Sequence, residues 1–308
     1  MNKFFIFFLF AFNSLISQEI VISSFDSHKI YGSLLKYEKS KSNLAIIISG
    51  SGPTDRDGNN SSTKGNYLKI LADELYKKGI SSYRFDKRGV AKSIGDLTSA
   101  NQIKFQDFIN DADEIIKYFI QSNDYNSITV IGHSEGSLIG MIAGQKSELD
   151  KFISVAGAGE DYLTVIQRQL SNRAPYIKSM SDPIIAQLRV NKLVDSVPPM
   201  LNNLFGPSIQ RFLIDAASYD PREEISKLNI PILITQGTND IQIELKDAQM
   251  LYDAAPSSTL EIIEGMNHVF RQASENFILN LQTYGNPDLP IDNSLVNIIA
   301  EFINKKLR

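Results

Sequence analysis

Residues 127–136 read Ser127-Ile128-Thr129-Val130-Ile131-Gly132-His133-Ser134-Glu135-Gly136, and an apolar helical run through Leu138, Ile139, Met141 and Ile142 follows them. Residues 128–131 are β-branched throughout, as expected for a short strand covered on both faces. A Gly-x-Ser-x-Gly turn between such a strand and a helix holds its serine at a strained backbone position. The two glycines let the flanking backbones pass closely. The five-residue pattern alone is a weak signal, so the strand-turn-helix setting carries the inference.

Outward from this turn, short apolar runs alternate with longer amphipathic ones. Residues 19–24 and 29–37 read as an antiparallel opening pair turning around Asp26 and Ser27. Residues 44–49, 80–85, 128–131, 152–156, 232–235 and 260–263 read as further strands, the first of them continuously apolar. Helical stripes cover 67–78, which stops at Gly79, then 105–120 and 138–143. The pattern predicts an α/β fold with a mostly parallel, doubly wound sheet. Between Gly159 and Pro231 the alternation breaks down. Helical patches at 163–170, 184–194 and 209–217 are interrupted by Pro175, Pro183, Pro198, Pro199 and Pro207, with no convincing strand. Because strands resume at Pro231, this stretch reads as a helical cap, about residues 160–229, inserted into one domain spanning 18–308.

Composition narrows the chemistry. The 308 residues include three His and no Cys, which excludes disulfides, Cys-ligated metals and thiol nucleophiles. His28, His133 and His268 are too dispersed in sequence for a multi-His metal motif, and no metal or organic cofactor is expected. A formal charge of −4 argues against nucleic acid or an anionic membrane as the main partner.

Residues 1–17 read as a secretory signal. Lys3 supplies the positive start, residues 4–12 are unbroken and apolar, and Ser14 and Ser17 precede polar Gln18. Nine helical residues reach roughly 14 Å, short of a hydrocarbon core of about 30 Å, so no stable membrane insertion is expected. Cleavage near Ser17 predicts a secreted or bacterial periplasmic chain with 30 basic and 35 acidic residues.

A serine hydroxyl needs a general base and a group that orients it. His28 lies in the opening hairpin, and His133 adjoins the serine pointing out of a tight turn. His268 follows the strand at 260–263 directly, in Glu264-Gly-Met-Asn-His268. An acid after the preceding strand completes the order Ser, Asp, His, and Gly237-Thr-Asn-Asp240 offers Asp240. Asp247 and Glu264 are the alternatives. The catalytic set is therefore Ser134, Asp240 and His268. An oxyanion hole takes one donor from the amide of Glu135 and a second from Ser49-Gly50-Ser51-Gly52-Pro53-Thr54-Asp55-Arg56-Asp57-Gly58, at Ser51 or alternatively Gly52. That loop lacks the Gly-Lys-Ser/Thr of a phosphate loop and the third glycine of a dinucleotide fingerprint.

The segments Gly50-Ser-Gly-Pro-Thr-Asp-Arg-Asp-Gly58, Tyr83-Arg-Phe-Asp86-Lys-Arg88-Gly89 and Gly132-His-Ser-Glu-Gly136 resemble the α/β-hydrolase superfamily. Within it they are most similar to bacterial carboxylesterases of the serine-aminopeptidase-like branch. The resemblance covers nearly the whole chain after the leader. It implies hydrolysis of short acyl esters through Ser134, Asp240 and His268 beneath a helical cap. One departure is Phe85, where that group leads us to expect tyrosine before Asp86. Asp55, Arg56, Asp57, Asp86 and Arg88 read as a network that fixes loops beside the serine, and the Glu135 side chain as a structural group under the site.

The expected activity is that of a secreted serine hydrolase cleaving a small-molecule carboxylic ester. A peptidase, or a thioesterase or acyltransferase, shares the same site chemistry. A non-catalytic binding module is the reading from another class. Tyr162, Leu163, Ile166, Leu204, Phe205 and Phe212 are the expected apolar lining from the cap. Neither the natural ester nor an oligomeric state is readable from these residues.

Overall fold

A computed structural model describes residues 17–38, 41–95 and 103–306. All but Ser17 of the expected leader lie outside the described residues. Eight strands form one sheet: β1 (Gln18–Ser23), β2 (Lys29–Leu35), β3 (Leu44–Ile48), β4 (Ser81–Phe85), β5 (Ile128–His133), β6 (Lys151–Val155), β7 (Ile232–Gly237) and β8 (Thr259–Ile263). Their spatial order is β1-β2-β4-β3-β5-β6-β7-β8. β2 pairs antiparallel with both β1 and β4, and every later pairing is parallel. The mostly parallel α/β sheet expected from the alternation is the observed one.

Continuous burial of the central strands follows from helices on both faces. In β3, Leu44, Ile46 and Ile48 point into one core while Ala45 and Ile47 point into the other. The first core is closed by α2 (Phe105–Ser122), α3 (Glu135–Lys146) and α9 (Leu245–Ala254). The second is closed by α1 (Tyr67–Lys77) and α11 (Asn293–Asn304). Because side chains alternate along a strand, an unbroken apolar run is the sequence that fills both cores at once.

Between β6 and β7 the chain is helical: α4 (Tyr162–Arg173), α5 (Lys178–Arg189), α6 (Asn202–Phe205), α7 (Pro207–Ala216) and α8 (Pro221–Ser226). Leu163, Ile185, Leu188, Phe205 and Leu213 form a separate apolar cluster there. Several boundaries differ from the sequence expectation. Pro183 does not open α5 but lies inside it, and the helix ends five residues earlier than 194, before Asn191 at φ 59°. A left-handed asparagine is a common helix terminator. α3 begins at Glu135, immediately after the serine turn, where Gly136 and Ser137 obscure its start. α10 (Phe277–Gln282) completes the set before α11.

The strand ends converge. Ser51 follows β3, Ser134 follows β5, Asp240 follows β7 and His268 follows β8. In parallel sheets this carboxyl edge is where sites are assembled from loops of different strands.

Candidate active site

Ser134 sits at φ 53°, ψ −120°, at the N-terminus of α3. A non-glycine residue held at positive φ is strained, and the surrounding backbone enforces it here. Its N–H donates to the Val155 carbonyl at 3.0 Å, and its carbonyl accepts from Ser137 N–H at 2.9 Å. A Cβ on Gly132 would lie 2.4 Å from the Gly136 carbonyl oxygen, and one on Gly136 would lie 2.4 Å from the Ile48 carbonyl oxygen. Both glycines are therefore demanded by backbone crossing, at the two positions the pattern specifies.

His268 Nδ1 donates to Asp240 Oδ2 at 2.7 Å, and both side chains are almost fully buried. This bond sets the tautomer: Nε2 keeps its lone pair and can accept a proton. Asp240 is itself held. Its Oδ1 accepts from the N–H groups of Gln242 (2.7 Å) and Ile243 (3.0 Å), and Oδ2 also accepts from Gln236 Nε2 at 3.1 Å. The Ser134 hydroxyl hydrogen-bonds to no described residue, so the base and the serine are brought to one edge without a fixed contact between them. Such contacts commonly close only with substrate present.

Neither alternative acid hydrogen-bonds to His268 among the described residues. Asp247 is fully buried, accepts from Gly159 N–H at 3.0 Å and pairs with Arg168 at 2.5 Å. Glu264 is exposed. His133 turns away from the serine: its Nε2 donates to the His268 carbonyl at 2.9 Å and its Nδ1 accepts from Tyr67 Oη at 3.3 Å. Burial, reinforced by the neighbouring His268, holds His133 well below the usual histidine range, so it is neutral. It thus props the loop that carries His268. His28 is remote from the site and contacts the Ser93 carbonyl at 2.8 Å.

The backbone N–H groups of Ser51, Gly52 and Glu135 donate to no described residue. For Glu135 this follows from its place at the first turn of α3, where N–H groups lack intrahelical partners and the helix dipole favours negative charge. Its side chain is held by two partners. Glu135 Oε1 pairs with Lys87 Nζ at 2.6 Å, and Oε2 accepts from Tyr162 Oη at 2.8 Å. Lys87 Nζ also donates to the Gly50 carbonyl at 2.6 Å. Burial and the adjacent Glu135 carboxylate raise the Tyr162 hydroxyl well above the ordinary tyrosine range, so it remains a donor.

The loop charges pair as a network. Arg56 binds Asp86 at 2.6 Å, Arg84 binds Asp57 at 2.9 Å, and Arg88 bridges Asp111 and Asp26 at 2.6 Å each. Asp55 Oδ1 accepts from the N–H groups of Asp57 and Asn59 at 2.9 and 2.8 Å. Lys87 and His133 are the supporting groups that the sequence analysis did not assign. The signal for Lys87 was its place between Asp86 and Arg88 at the end of a buried strand.

A cavity of about 240 Å³ reaches Ser134, and Leu138, Val165, Ile166, Leu204 and Leu213 wall it. Of the lining expected from the cap, Tyr162, Ile166 and Leu204 face this cavity. Phe212 lines a neighbouring cavity of about 380 Å³ that shares Gly52, Glu135 and Tyr162 with it, while Leu163 and Phe205 are instead fully buried within the helical cluster. Helical spacing marks apolar positions without saying which side of a helix meets solvent-filled space. Among the described residues, no group of three or more His, Asp or Glu converges as a metal site, and no helix is long and apolar enough to cross a membrane.

Residues 60–271 match the family model described as serine aminopeptidase, S33. The chain belongs to that family. It is 25% identical over 231 residues to Esterase EstD from Thermotoga maritima, covering 73% of this chain and 53% of that one. The chain thus spans about half the length of this relative. Among solved structures, an esterase from Pyrococcus furiosus superposes with a TM-score of 0.62 at 16% identity, covering 94% of this chain and 90% of that one. Est1E from Butyrivibrio proteoclasticus, solved with ferulic acid, gives 0.62 at 15% identity, covering 93% and 100%. These structures share the α/β-hydrolase fold with the family member described here.

Proposed function

We propose that this chain is a serine hydrolase that cleaves carboxylic esters with short acyl groups through an acyl-enzyme. The observation that carries the proposal is the 2.7 Å bond from His268 Nδ1 to buried Asp240, on the same sheet edge as a serine held at φ 53°. Ser134 Oγ attacks the acyl carbon while His268 Nε2 takes its proton, and Asp240 stabilises the imidazolium. The unpaired amides of Glu135 and of Ser51 or Gly52 receive the oxyanion. The alcohol leaves with the proton from His268, and water, activated by the same base, releases the acid and restores Ser134. The cavity of about 240 Å³ accommodates the acyl group. The esterase relative supports an ester over a peptide, although the family description names aminopeptidases.

Ser134→Ala is expected to lower turnover of p-nitrophenyl butyrate by roughly 10⁴-fold or more, with the fold retained by circular dichroism. Full activity in that variant would remove the assignment. Faster cleavage of aminoacyl anilides than of p-nitrophenyl esters would move the protein to the peptidases. Export belongs to the same proposal, on the strength of the leader at 1–17. A mature N-terminus at Gln18, read by mass spectrometry of the exported chain, is the expected result, and an intact leader on that chain would refute it.

A further inference from the structure

Several cavities adjoin the site, and the two that reach Ser134 and His268 have walls that differ in kind. The one holding Ser134 is mostly apolar, with Glu135, Glu160, Gln169 and Asn203 also among its lining. The other, about 170 Å³, holds His268 and is walled by Thr54, Asn60, Thr63, Gln242 and Tyr284. Ser51 and Gln242 line both, so the cavities lie side by side at these two residues.

We infer that the second cavity receives the leaving alcohol, and that this alcohol is neutral and carries several hydroxyl groups, as in a glyceryl or sugar ester. The inference rests on the hydrolase reading above. When the tetrahedral intermediate collapses, the bond from the acyl carbon to the alcohol oxygen breaks, and the proton taken from Ser134 passes from His268 Nε2 to that oxygen. The departing group must therefore lie against His268, while the acyl carbon stays bonded to Ser134. Of the two cavities, only the polar one is lined by His268.

The chemistry of the walls selects the alcohol. Asn60 Oδ1 accepts from Ser62 and Thr63 N–H, which leaves Asn60 Nδ2 without a partner among the described residues. The Thr63 hydroxyl and Gln242 Oε1 are likewise unpaired among the described residues. Among the described residues, the Tyr284 hydroxyl meets only Gln242 Nε2, at 3.5 Å. Donors and acceptors thus face the cavity together, the arrangement that hydroxyl groups satisfy in both directions. Among the described residues, no Asp, Glu, Lys or Arg lines it. A leaving group with a free carboxylate or ammonium would be desolvated there without a counter-charge, and an alkyl chain would strand the polar groups unpaired.

The test compares butyrate esters that differ only in the alcohol, using the mature full-length chain. Glyceryl monobutyrate, hexyl butyrate and butyrylcholine are followed by pH-stat, with p-nitrophenyl butyrate as the activated reference. The expected kcat/KM for the glyceryl ester exceeds both others by about tenfold or more. Hexyl butyrate cleaved as fast as the glyceryl ester overturns the inference and leaves the hydrolase reading intact. Absence of hydrolysis of all four esters overturns the hydrolase reading itself. Asn60→Leu and Thr63→Val are each expected to shrink the glyceryl-to-hexyl ratio by about fivefold, and an unchanged ratio in both variants refutes the assignment of this cavity.

Discussion

Lys87 holds the Gly50 carbonyl and the Glu135 carboxylate at once, each at 2.6 Å, with its own side chain almost fully buried. The Gly50 carbonyl and the Ser51 N–H belong to one trans peptide and point in opposite directions. A lysine on the carbonyl therefore fixes where the N–H points. The same lysine anchors the residue whose amide begins α3, so one buried cation sets both sides of the proposed oxyanion hole. Lys87→Met is expected to lower kcat roughly 10- to 100-fold with KM changed by less than about twofold, as for a weakened oxyanion donor. That variant also leaves the buried Glu135 carboxylate without a counter-charge, held only by Tyr162 Oη, which costs several kcal/mol of stability. The double variant Lys87→Met with Glu135→Gln removes the charge pair together and should keep the same kcat loss. Unchanged kcat in the double variant would reduce Lys87 to a structural group.

At the scale of elements, the turn between β5 and α3 depends on what crosses it. A Cβ on Gly136 meets two carbonyl oxygens at the end of β3, from Ile48 at 2.4 Å and Ser49 at 2.7 Å. Backbone oxygens of a central strand cannot rotate away as a side chain can. Gly136→Ala is expected to cost about 1–3 kcal/mol in urea unfolding, and turnover should fall further than the unfolded fraction explains, because Ser134 is displaced. Wild-type stability in this variant would mean that α3 shifts freely on the sheet. Elements with strong local periodicity, such as α1, α2 and β3, were legible from sequence within a few residues. α3 was legible only from Leu138, because glycine and serine at its start are poor helix signals. α11 was not read at all, although Asp292 caps it by accepting from the N–H groups of Ser294 and Leu295, and Leu295, Val296, Ile299 and Ile303 repeat at helical spacing.

For the whole molecule, His133 links stability to pH. It lies between Tyr67, Phe270 and His268, with Lys87 near enough to oppose its protonation, and it is neutral in the fold. Its folded pKa is depressed, so above about pH 6.5 both folded and unfolded chains leave it neutral and it has no effect. Below that value the unfolded chain takes up a proton that the fold refuses. Stability then falls by up to ~1.4 kcal/mol per pH unit until the folded state protonates too. Between pH 7 and 5, His133→Gln should therefore show a flatter decline in thermal midpoint than wild type. Parallel declines would show that His133 does not drive the linkage.

Taken by itself, the sequence determined a two-faced parallel sheet, because strand and helix periods are properties of neighbours along the chain. It also determined that Ser134, Asp240 and His268 follow strands β5, β7 and β8, since each comes after an apolar run that ends in a turn. Only tertiary structure decided that Lys87 meets Gly50 and Glu135, that His133 props His268, and that Thr54, Asn60, Thr63, Gln242 and Tyr284 share a polar cavity. A buried charge or an unpaired polar wall takes its meaning from the loops that arrive beside it, and that arrival is set by the order of strands in the sheet rather than by any local pattern.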